Sequence, residues 1–188
     1  MTKVTGYVIV KFITSYLFVC GGDFLDIMEF DVPKQAFIYA AIHLLANRLQ
    51  TVGDKLDPSI SSKQWFLLVA VSKFTDLKGA PPNIGDIANG LGTSRQNIKK
   101  MANLLEQRGF LKLEKDKSDL RSIRLLLTER CEDYFQSREQ RDDEYLERIF
   151  RGIEEETLVI LCKGMGKLIE NLDTVLIETQ GEEGVVKL

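Results

Sequence analysis

The chain has 188 residues, 44% of them apolar, with 25 basic against 28 acidic side chains for a net charge of -3. That composition supports one ordinary domain with a real core and excludes a disordered chain, while the near balance of charge points to no partner by itself. One histidine, His43, and three scattered cysteines, Cys20, Cys131 and Cys162, provide no C-x-x-C pair, no clustered metal ligands and no nucleophile with a base, so no metal, cofactor or enzymatic activity is expected and a reducing cytoplasm is.

Tyr7 to Cys20 is apolar but interrupted by Lys11, and it is shorter than the roughly 20 residues of a membrane span. A single Lys3 before it and the lack of an A-x-A cleavage site after it argue against a signal peptide. No membrane partner is expected. Residues 1–27 read as an extension outside the native protein, with Met28 as the natural start.

From Gln35 to Val52, Phe37, Ile38, Ala41, Leu44, Leu45, Leu49 and Val52 recur at spacings of three and four, which predicts an amphipathic helix, with Gly53 as its stop. After Pro58, serines 59, 61 and 62 lead into Trp65, Phe66, Leu67, Leu68, Val69 and Val71, expected as a serine-capped helix buried in the core. Lys78 to Asn83 contains two prolines and is a loop.

Ile84 to Leu91 predicts a short helix, and Gly92 permits the tight turn after it. A second helix starts at once, capped by Thr93 or Ser94; the stretch from Thr93 to Gln96 has the spacing of a capping box. Its inner face is Ile98, Met101, Ala102 and Leu105, and Gly109 ends it. Arg95, Gln96, Lys99, Lys100, Asn103 and Gln107 are left facing solvent, a set that donates to guanine or pairs with adenine in a major groove. Ser94, Arg95, Gln96, Asn97, Lys99, Lys100 and Asn103 are the expected DNA contacts of this helix. Phe110–Lys115 and Ser122–Leu127 alternate as two strands joined by a polar hairpin, a wing whose tip offers Lys115, Lys117, Ser118 and Arg121 to the DNA backbone or minor groove. Charge is distributed accordingly: residues 93–124 carry nine Lys and Arg against four acids, whereas residues 129–188 carry eight against sixteen.

Ile87-Ala88 with Leu91 and Ser94-Arg95, then Leu104 to Leu111, Asp119-Leu120-Arg121-Ser122 and Leu125 to Thr128 together resemble the MarR family of bacterial regulators, over roughly residues 34–176. The resemblance implies that Arg121 is the wing arginine and Asp119 the carboxylate that positions it. It also implies release of DNA when a small, often aromatic, effector occupies a cleft, for which His43 and Trp65 are weak candidates that no motif supports. Where the family commonly has a glycine, this chain has Cys131, expected to be a buried apolar residue, as is Cys162.

Residues 129–150 predict a long charged helix broken at Gly152, and the helix beginning near Glu154 to Glu156 carries Leu158, Leu161, Met165, Leu168, Leu172 and Val175 at spacings of 3, 4, 3, 4 and 3. That seam is assigned to a dimer interface. The expected architecture is mainly α with a small β-hairpin wing: a winged helix-turn-helix over 59–128 and a helical dimerisation region formed by 34–58 and 129–177. The expected function is that of a homodimeric, ligand-responsive transcriptional repressor reading an inverted repeat in double-stranded DNA; the alternative is a winged-helix module that binds protein partners, which salt dependence would separate.

Overall fold

The computed structural model describes residues 33–185, so the segment 1–27 and the start at Met28 lie outside the described residues. In chain order the elements are α1 (Lys34–Leu56), α2 (Ser62–Lys78), α3 (Ile84–Gly90), α4 (Arg95–Gln107), β1 (Leu111–Lys115), β2 (Ile123–Leu127), α5 (Glu129–Ile149) and α6 (Glu155–Val185). The chain divides into two compact units, one ending at Glu132 and one beginning at Asp133. No helix among the described residues is long and apolar enough to cross a membrane.

Helix α1 does not stop at Gly53. It runs on to Leu56, and the Asp57 amide still closes on the Gly53 carbonyl at 3.3 Å. A helical glycine costs only about 1 kcal/mol relative to alanine, so without a left-handed backbone it weakens a helix rather than ending it. The terminator is Asp57, held extended (φ -139°, ψ 99°) ahead of Pro58. Gly53 serves close approach instead: a Cβ there would collide with Ser62 Oγ and come within 3.3 Å of Ser62 Cβ. Ser62, the first residue of α2, donates its amide (2.6 Å) and its hydroxyl (2.8 Å) to Asp54, and these bonds hold the Asp54 carboxyl below its usual range.

Ser61 caps α2 in a full capping box, accepting from the Gln64 amide while Gln64 Oε1 accepts from the Ser61 amide. Leu67, Leu68 and Val71 are fully buried, but Phe66 is 56% exposed, contrary to the expectation that the whole apolar stretch enters the core. Consecutive helical residues are turned about 100° apart, so a contiguous apolar run necessarily points in several directions. Gly79 takes the left-handed conformation (φ 66°) and ends the helix.

The same core takes Ile87 and Ala88 from α3, Ile98, Ala102 and Leu105 from α4, and Leu111 and Leu125 from the hairpin. Strands β1 and β2 pair antiparallel from Leu111 opposite Leu127 to Lys115 opposite Ile123. Among the bonds that fasten the hairpin to its surroundings, Leu113 donates to Glu106 Oε1 (2.9 Å) and Leu125 donates to the Pro82 carbonyl (2.9 Å). Cys131 is fully buried, as expected, and burial pushes its thiol up to about 11.

In the second unit, α6 follows the turn at Gly152 (φ 81°), with Glu155 and Glu156 in its first turn. Among the described residues its seam stands exposed: Leu161, Met165, Leu168, Leu172 and Val175 are all exposed and Leu158 is half-buried. Cys162 is exposed too, which corrects the expectation of a buried thiol; spacing identifies an apolar helix face but not whether the same chain covers it.

Candidate nucleic-acid interface

The turn between α3 and α4 is built from local bonds. Asn83 caps α3, its Oδ1 accepting from the Asp86 amide (3.0 Å) while its own amide donates to Asp86 Oδ2 (2.8 Å). Gly92 adopts φ 60°, which a side chain would disfavour, and Thr93 donates back to the Ala88 carbonyl at 3.0 Å. Ser94, not Thr93, is the cap of α4: its hydroxyl accepts from the Asn97 amide at 3.2 Å. The box spacing counted from Thr93 is not used, because the third helical residue after Ser94 is Asn97.

With Ile98, Ala102 and Leu105 buried, Arg95, Gln96, Lys99, Lys100, Asn103 and Gln107 are all exposed, as the spacing predicts, and Asn97 is exposed beside them. Asn97 is tied in part to its own cap, donating to Thr93 Oγ1 at 3.4 Å. At the other end, Gly109 (φ 76°) turns the chain into the hairpin.

Lys115, Lys117, Ser118, Asp119 and Arg121 are exposed on the wing. Ser118 is partly committed, because its hydroxyl donates to Asp116 Oδ1 at 2.6 Å. Asp119 Oδ1 accepts from the Arg121 amide at 3.0 Å, so it fixes the backbone of the arginine rather than its guanidinium.

Two residues that sequence reasoning missed organise this tip. Asp116 is only 7% exposed and accepts from the Ser118 hydroxyl, the Ser118 amide (2.7 Å), Arg124 Nε and the Asp119 amide (3.3 Å), which together hold its carboxyl far below the usual range. Arg124 also donates through Nη1 to the Pro81 carbonyl at 2.7 Å. The available signal was the Asp-x-Ser spacing from Asp116 to Ser118, which favours a side-chain-closed turn.

Arg95 and Lys99 of α4, Asp119, Arg121, Ser122 and Ile123 of the wing, and Asn83 to Gly85 at the start of α3 line one open cleft of about 420 Å³. Gln96, Lys100, Asn103, Lys115 and Lys117 lie on the surface outside it. A surface with three cations from two elements around a cleft, flanked by exposed amides, can hold phosphate oxygens while presenting donors and acceptors to base edges. Of the two effector candidates, His43 meets Tyr39 edge-on at 4.8 Å, and Trp65 tilts against Phe66 at 6.5 Å.

No protein-family model matches the chain, and no curated protein matches it in sequence. Solved structures do match in fold. A MarR protein from Peptoclostridium difficile aligns with a TM-score of 0.66 at 16% identity, covering 76% of this chain and 91% of its own. FabT of Streptococcus pneumoniae, solved in complex with DNA, aligns at 0.57 and 20% identity, covering 76% and 99%. The PcaV transcriptional regulator from Streptomyces coelicolor, solved with its natural ligand, aligns at 0.63 and 14% identity, covering 75% and 97%. The chain therefore has the winged-helix fold of MarR-type regulators.

Proposed function

We propose that this chain is a cytoplasmic transcriptional regulator that binds double-stranded DNA as a homodimer, α4 entering the major groove and the wing reaching the flanking backbone. The observation that carries the reading is the convergence of Arg95, Lys99 and Arg121 on one cleft beside an exposed Gln, Lys and Asn helix face. FabT, of the same fold, was solved with DNA. The exposed seam of α6 supports the dimer, since an apolar helix face of this length gains from burial against a second copy. Two recognition helices about 34 Å apart would then read an inverted repeat. A ligand-responsive repressor is the specific form proposed, supported by the ligand-bound state of the similarly folded PcaV.

The test is selection of bound genomic fragments, then titration of the selected duplex against salt. Affinity should fall steeply, by about 0.9 in log K per log salt for each phosphate contact. Arg121→Ala and Lys100→Ala should each weaken binding by about 1 to 3 kcal/mol with the dimer still folded. Unchanged affinity in both variants, or a wild-type protein that ignores duplex DNA in dilute buffer, refutes the assignment.

A further inference from the structure

Arg124 stands three residues after Arg121, within the basic stretch, yet it does not join the cleft. Its guanidinium is used twice inside the unit. Nε donates to the carboxylate of Asp116, which in turn gathers the turn at the wing tip, and Nη1 donates to the carbonyl of Pro81, which belongs to the loop leading into α3. Neighbouring backbone reinforces this connection: Leu125 donates to Pro82, and Asn83 forms an antiparallel bridge with Arg124. The loop 81–83 is thus tied to β2 by one isolated bridge and one further backbone bond. The segment that carries Arg121 is itself closed at both ends, by the Asp116 amide donating to the Ser122 carbonyl (2.9 Å) and the Ser122 amide donating to the Asp119 carbonyl (2.8 Å).

We infer that Arg124 is a positioning residue for DNA binding: by clamping Asp116 at the wing tip to Pro81 before α3, it sets where Arg121 stands relative to Arg95 and Lys99 across the cleft. The inference rests on the DNA-binding reading above. The planar guanidinium suits this task because its fork offers two donors in fixed relative directions, whereas a lysine ammonium is one mobile point. A contact made by Arg121 adds affinity only if its position is fixed before binding; a wing free to swing must be ordered during binding, which offsets the gain.

The test is a double-substitution cycle in the full chain, read as affinity for a selected duplex. In the native background Arg121→Ala should lower affinity by about tenfold, and in an Arg124→Met background by less than about twofold. Lys100→Ala, on α4 outside the cleft, should cost the same factor in both backgrounds. Asp116→Asn breaks the clamp from its other end, since an amide still accepts from Ser118 and Asp119 but no longer pairs with Arg124 as an ion; it should abolish the contribution of Arg121 in the same way. Arg124→Lys keeps the charge and loses the fork, so it too should leave Arg121 with a reduced contribution. Each background is first checked by circular dichroism and sedimentation, and a background that fails to fold leaves the decision to the others.

An equal effect of Arg121→Ala in every folded background overturns the inference, as does an Arg124→Lys protein indistinguishable from the native one, which would reduce the role of Arg124 to its charge. A native protein that binds no duplex refutes the DNA-binding reading itself, a result distinct from either.

Discussion

Replacing Gly53 with alanine sets two effects of opposite sign against each other. The position is inside α1 with an ordinary helical backbone, so alanine should stabilise by about 1 kcal/mol through propensity alone. The new Cβ, however, would occupy the place of Ser62 Oγ. That hydroxyl donates to the Asp54 carboxylate at 2.8 Å, with the Gln50 carbonyl at 3.1 Å as a second acceptor for the same proton. Displacing it loses one charge-assisted bond, about 1.5 to 3 kcal/mol, and the 3.3 Å approach of Ser62 Cβ requires a small shift of the start of α2 besides. The steric and hydrogen-bond side wins, for a net destabilisation of about 0.5 to 2 kcal/mol. In a Ser62→Ala background the bond is already gone, so Gly53→Ala should be neutral or stabilising by up to about 1 kcal/mol. Urea unfolding followed by circular dichroism at one fixed protein concentration measures all four proteins. The reasoning fails if Gly53→Ala stabilises the native chain, or destabilises both backgrounds equally.

Other consequences can be checked separately. Leu172→Asp places a charge in the exposed seam of α6, so on the dimer reading it should yield a monomer in sedimentation equilibrium and weaken DNA binding; an unchanged dimer would move the interface elsewhere. Cys131, with its thiol raised to about 11 by burial, should stay unlabelled by iodoacetamide at pH 8 until the chain unfolds, as peptide mass spectrometry would show; rapid labelling of native protein contradicts its burial. Asp116 has its carboxyl lowered by the Ser118 hydroxyl and amide and by Arg124, so the stability it contributes is present above the ordinary value of 3.8 and is lost as pH falls below it. The stability difference between the native chain and Asp116→Asn should therefore shrink in acid, and a difference independent of pH would count against the buried ion pair.

The helix-turn-helix and the wing were legible in the sequence because their signals are local. Gly92 and Gly109 do adopt positive φ where the pattern requires turns, and the apolar spacing of α4 predicts which residues are buried. Resemblance added the significance of Asp119 and Arg121, though the carboxylate reaches the backbone of the arginine. What could not be read depends on partners far along the chain. Arg108 donates to the Ser59 carbonyl 49 residues away, and Arg124 to the Pro81 carbonyl 43 residues away; a backbone acceptor carries no residue-type signature. The close approach that calls for a glycine at position 53 is hidden in the same way, because Ser62 arrives from another helix.

Those hidden pairings alter the meaning of the basic stretch more than its total charge. Among the nine Lys and Arg of residues 93–124, Lys112 pairs with Glu114 at 2.5 Å, Arg124 with Asp116, and Arg108 is drawn onto a backbone carbonyl. Two of the four acids are thereby neutralised, and a third, Glu106, accepts from the Leu113 amide. The six remaining cations, Arg95, Lys99, Lys100, Lys115, Lys117 and Arg121, are all on α4 or the wing and all exposed. Internal pairing removes nearly as much negative as positive charge, so the net balance barely changes while the cations left for a partner sit on just the two elements that would meet a duplex. Because fields are screened within roughly 10 Å in physiological salt, this local segregation, rather than the overall charge of -3, governs attraction to a polyanion. An acidic protein can in this way present a strongly cationic face, provided its arginines divide between tying the scaffold together and facing outward.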